Sequence, residues 1–260
     1  MSRILSCLLL FCALLGCERS HDELRVGTIA GPESELMETA KQVALRDYGL
    51  EVKVVEFSDY SMPNRALTEG DLDANVFQHL PYLKAAQTAF GYALAPIGKT
   101  FIFPMGIYSH QIKKLEDLPN GSVVAIPNDP SNEARALLLL QKAGLITLPS
   151  KNNYTATVRD IFENPKHLQI KELDAAQLPR SLDDAAIAVI NTTYAIPAGL
   201  SPKRDALFIE DKSSPYANLI VVKRDMLLNE RLKLLVKAIH SPEVEERAKI
   251  LFGDGAIKAW

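Results

Sequence analysis

Hydrophobic residues near the start of the body of the chain change spacing twice. Leu24-Arg25-Val26-Gly27-Thr28-Ile29-Ala30 reads as a strand. From Glu33 to Tyr48 the apolar residues Leu36, Met37, Ala40, Val43 and Ala44 recur three and four apart, which is one face of a helix, and Gly49 stops it. Val52, Val54, Val55 and Phe57 then mark a second strand. A βαβ opening of this kind favours parallel pairing with a right-handed crossover. Its first loop, Ala30-Gly31-Pro32, lacks the G-x-G-x-x-G spacing of a dinucleotide site.

The pattern continues with a short helix from Arg65 to Gly70, an extended run from Asp71 to Phe77, and a helix from Leu80 to Gly91 with Pro81 in its first turn. Ala93 to Tyr108 is a long β-rich passage. Pro104 and Gly106 predict a bend there, and with it a first crossing between two lobes. After the turn residues Asn120-Gly121, a second strand-helix alternation begins: strand Ser122 to Ile126, a helix to about Ala143 closed by Gly144, strand Gln169 to Leu173, a short helix over Ala176 to Leu182, and the buried strand Ala185 to Ile190. Ala217 to Lys223 reads as a strand and as the return crossing. Asp225 to His240 and Glu243 to Phe252 read as two closing helices. Two α/β lobes, each completed by the other, place a ligand cleft at the carboxyl ends of the strands.

The N-terminus follows a different pattern. Arg3 precedes an apolar run from Ile4 to Leu15, and Glu18-Arg19-Ser20-His21-Asp22 is abruptly polar. The run is too short for a membrane span and reads as a signal peptide. Leu14-Leu15-Gly16-Cys17 resembles a bacterial lipobox, in which Cys17 is lipidated and becomes the mature N-terminus. The expected division is residues 1–16 as signal, 17–23 as tether, 24–105 with 218–260 as one lobe, and 106–217 as the other. All three cysteines, Cys7, Cys12 and Cys17, lie in this first segment, so the body carries no disulfide and no thiol nucleophile. With 260 residues, 47% hydrophobic, and a formal net charge of -3, the composition is that of an ordinary globular chain and gives no sign of nucleic-acid binding.

Catalytic and metal signatures are missing. No H-E-x-x-H, G-x-S-x-G or P-loop occurs, and the five histidines are scattered without metal spacing. Binding chemistry is better represented. Pro127-Asn128-Asp129-Pro130-Ser131-Asn132-Glu133-Ala134-Arg135 reads as a loop breaking into a helix, with Ser131 as N-cap. Arg135 is a cation at the wrong end of the dipole. Its fork and the free helix N–H groups together suit a carboxylate, whereas the alternative is a solvated or ion-paired arginine. Tyr60, Phe77, His79 and Tyr82 lie at strand ends and helix starts, where flat rings can enclose an apolar or thioether group. Asn191 and Asn218 also fall at strand ends, and an amide can meet either a carboxylate or an ammonium.

From about Leu24 to Trp260 the chain resembles the methionine-binding lipoproteins of ABC importers, the MetQ or NlpA family. The resemblance is carried by Phe57-Ser-Asp-Tyr60 with Pro63-Asn64, Gly70-Asp-Leu-Asp-Ala-Asn-Val-Phe-Gln-His79, Pro127-Asn-Asp-Pro-Ser-Asn132 with Arg135, Gln177-Leu-Pro-Arg-Ser181, Ile190-Asn-Thr-Thr-Tyr194 and Ser214-Pro-Tyr-Ala-Asn-Leu219. It implies an α/β type II periplasmic-binding fold of two lobes with two crossing strands, closing on methionine. It implies that Arg135 holds the carboxylate and that Asn191 and Asn218 hold the head group. It further implies that Tyr60, Phe77 and His79 enclose the thioether, with Tyr82 and Tyr194 nearby. Its partners would be L-methionine or a related amino acid, and an ABC permease with its ATPase subunits. The setting would be the periplasmic side of a bacterial membrane, with lipid on Cys17 as the anchor. D-methionine, a Met-containing dipeptide or another apolar amino acid would fit the same fold, since one methylene is worth only ~1–3 kcal/mol. An exported hydrolase or transferase is a competing reading that requires an activated nucleophile beside a base.

Overall fold

The computed structural model describes residues 23–150, 153–211 and 214–260; Cys17, the expected signal and the expected tether as far as residue 22 lie outside them, while Glu23 already belongs to the first strand. The first part of the chain runs β1 (Glu23–Ile29), α1 (Pro32–Tyr48), β2 (Glu51–Phe57), α2 (Pro63–Glu69), β3 (Ala74–His79), α3 (Leu80–Phe90) and β4 (Leu94–Ile102). The middle part runs β5 (Gly106–Tyr108), β6 (Val123–Pro127), α4 (Pro130–Lys142), β7 (Gln169–Leu173), α5 (Leu178–Ser181), β8 (Ile187–Ile190), α6 (Thr192–Ala195), α7 (Pro202–Asp205) and β9 (Phe208–Ile209). The last part runs β10 (Ala217–Lys223), α8 (Glu230–Ile239), α9 (Pro242–Phe252) and β11 (Ile257–Lys258).

These strands form two sheets. One has six strands in the order β11-β4-β10-β3-β1-β2, the other five in the order β7-β6-β8-β5-β9. The expected βαβ opening is present: β1 and β2 pair in parallel from Glu23↔Glu51 to Ile29↔Phe57, and α1 closes at Gly49 in the left-handed conformation, which costs a glycine least. In both sheets alternate residues of a strand go to opposite faces. Ile220 and Val222 of β10 enter the core under α1, α8 and α9, while Leu219 and Val221 enter a smaller core under α2 and α3. Val124 and Ile126 of β6 pack under α4, while Ala125 goes to the other face with Leu178 and Leu182. Each sheet is thus covered on both sides, and each fully buried aliphatic side chain contributes roughly 1.5–3 kcal/mol of transfer free energy.

The chain passes between the sheets twice. It leaves the first after Ile102 and enters the second at Gly106, where Pro104 and Gly106 predicted the bend. The return lies earlier than the pattern suggested. Ala217–Lys223 belongs wholly to the first sheet, antiparallel to both β3 and β4, so the crossing falls between Ile209 and Ala217. The apolar run of β10 reflects burial between two neighbouring strands, not passage across a gap.

Candidate functional site

The carboxyl ends of β3, β6 and β8 converge where the sheets face each other. Strand β10 runs the opposite way, so its first residues reach the same place; Asn218 pairs with His79 across the ladder. Between the lobes lies a narrow cavity of about 20 Å³. Tyr60, Phe77, His79, Tyr82, Arg135, Asn191 and Asn218, all expected site residues, line it. Tyr194 is not part of that lining. Its ring backs Tyr60 from the second lobe at 5.1 Å, and its hydroxyl points to Ser58 O.

One wall is aromatic. Tyr60 lies 5.9 Å from Phe77 and 6.0 Å from Tyr82, and Phe77 meets Tyr82 edge-on at 5.5 Å. The Tyr82 hydroxyl donates to Tyr60 O at 2.8 Å, locking the two rings together. Burial holds the phenols of Tyr60, Tyr82 and Tyr194 above the ordinary tyrosine range, so all three stay neutral and present apolar faces.

The opposite wall grows from the start of α4. Here the local expectation is corrected: Asp129, not Ser131, caps the helix. Its side chain accepts from Asn132 N at 3.0 Å, and Pro130 occupies the first turn. A carboxylate in extended backbone before a proline satisfies both the cap and the proline's restriction on its predecessor. Burial raises the Asp129 carboxyl above its ordinary range, while bonds from Asn132 and Ser131 pull the other way.

Arg135 is 4% exposed and is both ion-paired and cavity-lining, so the two readings of this residue coexist. Its Nε donates to Glu210 Oε1 at 3.1 Å, and its Nη2 to Glu210 Oε2 and to Phe103 O. The guanidinium also lies over the Tyr216 ring, 4.3 Å from the centroid. Its Nη1 makes no hydrogen bond among the described residues. The helix N–H groups are not its companions, because Asp129 takes them; Glu210 replaces them, and a buried cation needs such a partner.

The amides have defined directions. Asn132 Nδ2 donates to Asp129 Oδ2 at 2.8 Å, and Asn132 Oδ1 accepts from Asn191 Nδ2 at 3.1 Å. Asn191 Oδ1 is buried without a protein partner among the described residues. Asn218 Nδ2 is spent on Phe77 O at 3.1 Å. His79 caps α3 by accepting from Tyr82 N through Nδ1 at 3.2 Å, and its Nε2 faces Asn132 Oδ1 at 3.2 Å. Burial and the charge of Arg135 push its pKa down to about 3, so the ring is neutral, with its proton on Nε2.

Several cavity residues went unassigned in the sequence. Asn132 stood in the quoted Pro127–Arg135 run and could have been found from its helix-start position. Glu210 and Tyr216 complete the Arg135 environment from far away in the chain; Glu210 carries no local signal, whereas Tyr216 stood in the quoted Ser214–Leu219 run without a role assigned to it. Glu33, buried at the start of α1, accepts a hydrogen bond from Thr193 Oγ1 at 2.5 Å and ties the two lobes together. No cluster of three or more metal-binding side chains occurs among the described residues.

Two α/β lobes, joined by two passages and closing on one guanidinium, amide acceptors and a box of rings, define a substrate-binding protein of the periplasmic type. The chain belongs to the NlpA lipoprotein family, whose model matches residues 24–260. It is 51% identical over 253 residues to the D-methionine-binding lipoprotein MetQ of Escherichia coli (strain K12), covering 95% of this chain and 93% of that one. Among solved structures, a periplasmic substrate-binding protein of an ABC transporter from Coxiella burnetii superposes with TM-score 0.89 at 60% identity, covering 91% of this chain and 100% of that one. A nutrient-binding protein from Burkholderia cenocepacia bound to methionine gives TM-score 0.89 at 51% identity, with the same coverage of 91% and 100%.

Proposed function

We propose that this chain is a lipid-anchored substrate-binding protein that captures methionine between its lobes and delivers it to an ABC importer. The observation that carries this reading is the pairing of free groups in one cavity: Arg135 Nη1 as donor and Asn191 Oδ1 as buried acceptor, opposite the Tyr60–Phe77–Tyr82 box. A zwitterion with an apolar tail has the complementary groups. Enclosing it desolvates both charges, so each requires a hydrogen-bonding partner. In this reading Arg135 takes the carboxylate, Asn191 and Asn218 take the ammonium, and the rings with His79 enclose the thioether.

The names of the relatives support methionine as the ligand, and those of the curated relatives add D-methionine as a second candidate. A lobe division of residues 24–105 with 218–260 against 106–217 is part of the proposal; strand membership in the two sheets supports it except at its second boundary, which falls between Ile209 and Ala217. Also part of the proposal are a permease with its ATPase subunits as partner, lipid on Cys17 as anchor and the periplasmic side of a membrane as location. The role is binding rather than catalysis, consistent with both ring nitrogens of His79 being committed to protein groups. Calorimetry on protein freed of ligand by unfolding and refolding tests the reading. One-to-one binding of L-methionine or D-methionine is expected; no heat with either, alongside clear heat with another solute, overturns it.

A further inference from the structure

We propose that Asp129 sets the direction of the amide chain Asn132–Asn191 and thereby presents Asn191 Oδ1, rather than its NH₂ group, to the ligand's ammonium. This rests on the function proposed above and names the residue that gives its site selectivity for an amine.

An amide can point either way, and a cavity that must hold an ammonium needs the oxygen. Two constraints from opposite ends fix the direction. At one end an ionised carboxylate only accepts, so Asp129 Oδ2 requires the NH₂ of Asn132, which it meets at 2.8 Å. Its other oxygen is held by Asn132 N and Ser131 Oγ, each at 3.0 Å, so the carboxylate cannot swing away. At the other end His79 must accept from Tyr82 N through Nδ1, which leaves Nε2–H as a donor toward Asn132. Both constraints turn Asn132 Oδ1 toward Asn191, where it takes the Nδ2 donor at 3.1 Å. The only end of the chain left over is Asn191 Oδ1, a buried acceptor without a partner among the described residues. A buried unsatisfied acceptor costs free energy, and an ammonium ligand removes that cost. Asp129 touches no ligand in this arrangement; it acts as a positioning residue through Asn132.

Asp129→Asn keeps a good N-cap but places an NH₂ against the NH₂ of Asn132. With the Asp129 acceptor gone, Asn132 turns over at the expense of the bond it receives from His79 Nε2–H, Asn191 turns with it, and a donor faces the ammonium. The test compares binding of L-methionine with that of 4-(methylthio)butanoic acid, which is the same molecule without its amino group. In Asp129→Asn, affinity for L-methionine is expected to fall at least about tenfold, while affinity for the desamino acid changes less than about threefold. The exchanged variant Asp129→Asn with Asn132→Asp restores the direction, because Asn then donates to Asp, which accepts from His79 and Asn191. It is expected to recover L-methionine binding to within about threefold of wild type. Equal loss of both compounds in a folded Asp129→Asn, or a folded exchanged variant that does not recover, overturns the inference and leaves the proposed function standing. Wild-type protein that binds neither compound overturns both. Either variant suffices if the other does not fold.

Discussion

Glu33 and His79 show how burial decides ionisation against local preference. Glu33 sits in the first turn of α1, where the helix dipole favours a charge, yet desolvation raises its pKa to about 8, against a smaller opposing effect of the Thr193 hydrogen bond. The folded chain therefore binds the Glu33 proton more tightly than the unfolded chain does, and stability falls as pH rises from about 4.5 to about 8. His79 has the opposite sign. It stays neutral in the fold down to about pH 3 but protonates near 6.5 when unfolded, so stability falls as pH drops through that window. The two slopes oppose each other between about 4.5 and 6.5, where the pair destabilises least. Glu33→Gln is expected to abolish the fall in melting temperature between about pH 6.5 and 8 and to extend the acid limb upward from about pH 4.5 to about 6.5, where Glu33 no longer offsets His79. Thermal melts across that range check it, and an unchanged alkaline fall would mean that Glu33 titrates normally.

At the scale of elements, α4 and the bend before β5 matter most. The start of α4 carries the cap, the amide chain and the guanidinium within a few residues, so a single helix terminus builds one whole wall of the cavity. The bend depends on close approach. A Cβ added to Gly106 would lie 2.8 Å from Tyr108 Cε2, and the Tyr108 ring is fully buried. Gly106→Ala is therefore expected to destabilise the fold by about 1–3 kcal/mol, seen as a lower urea midpoint with an unchanged slope. Elements such as these were largely legible because they are written in local signals: the periodic face of α1, Gly49 and Gly70 at helix ends, Pro104 and Gly106 at the bend. The cap of α4 was misread because Ser131 and Asp129 are both good cap residues, and local preference alone does not say where the helix begins.

For the whole molecule, contacts between lobes and contacts around the ligand act together. His79 with Asn132, Glu33 with Thr193, and Tyr60 with Tyr194 bridge from one lobe to the other around the cavity. A ligand held by the same residues binds the folded chain and not the unfolded one. Methionine at a hundredfold excess over its Kd is expected to add about 2.7 kcal/mol to stability, measured as a rise in the urea midpoint. A midpoint that does not move at that excess would mean the ligand does not prefer the folded chain. By itself the sequence determined the alternation of strands and helices, the bend that divides the body, and the residue types gathered at strand ends, because each depends on neighbours within a few positions. Only the tertiary structure decided that β10 lies inside the first sheet, that Glu210 and Tyr216 enclose Arg135, and that Asn191 is left with an unpaired oxygen. Those outcomes depend on burial and on partners distant in the chain, and no local pattern of hydrophobic and polar residues encodes them.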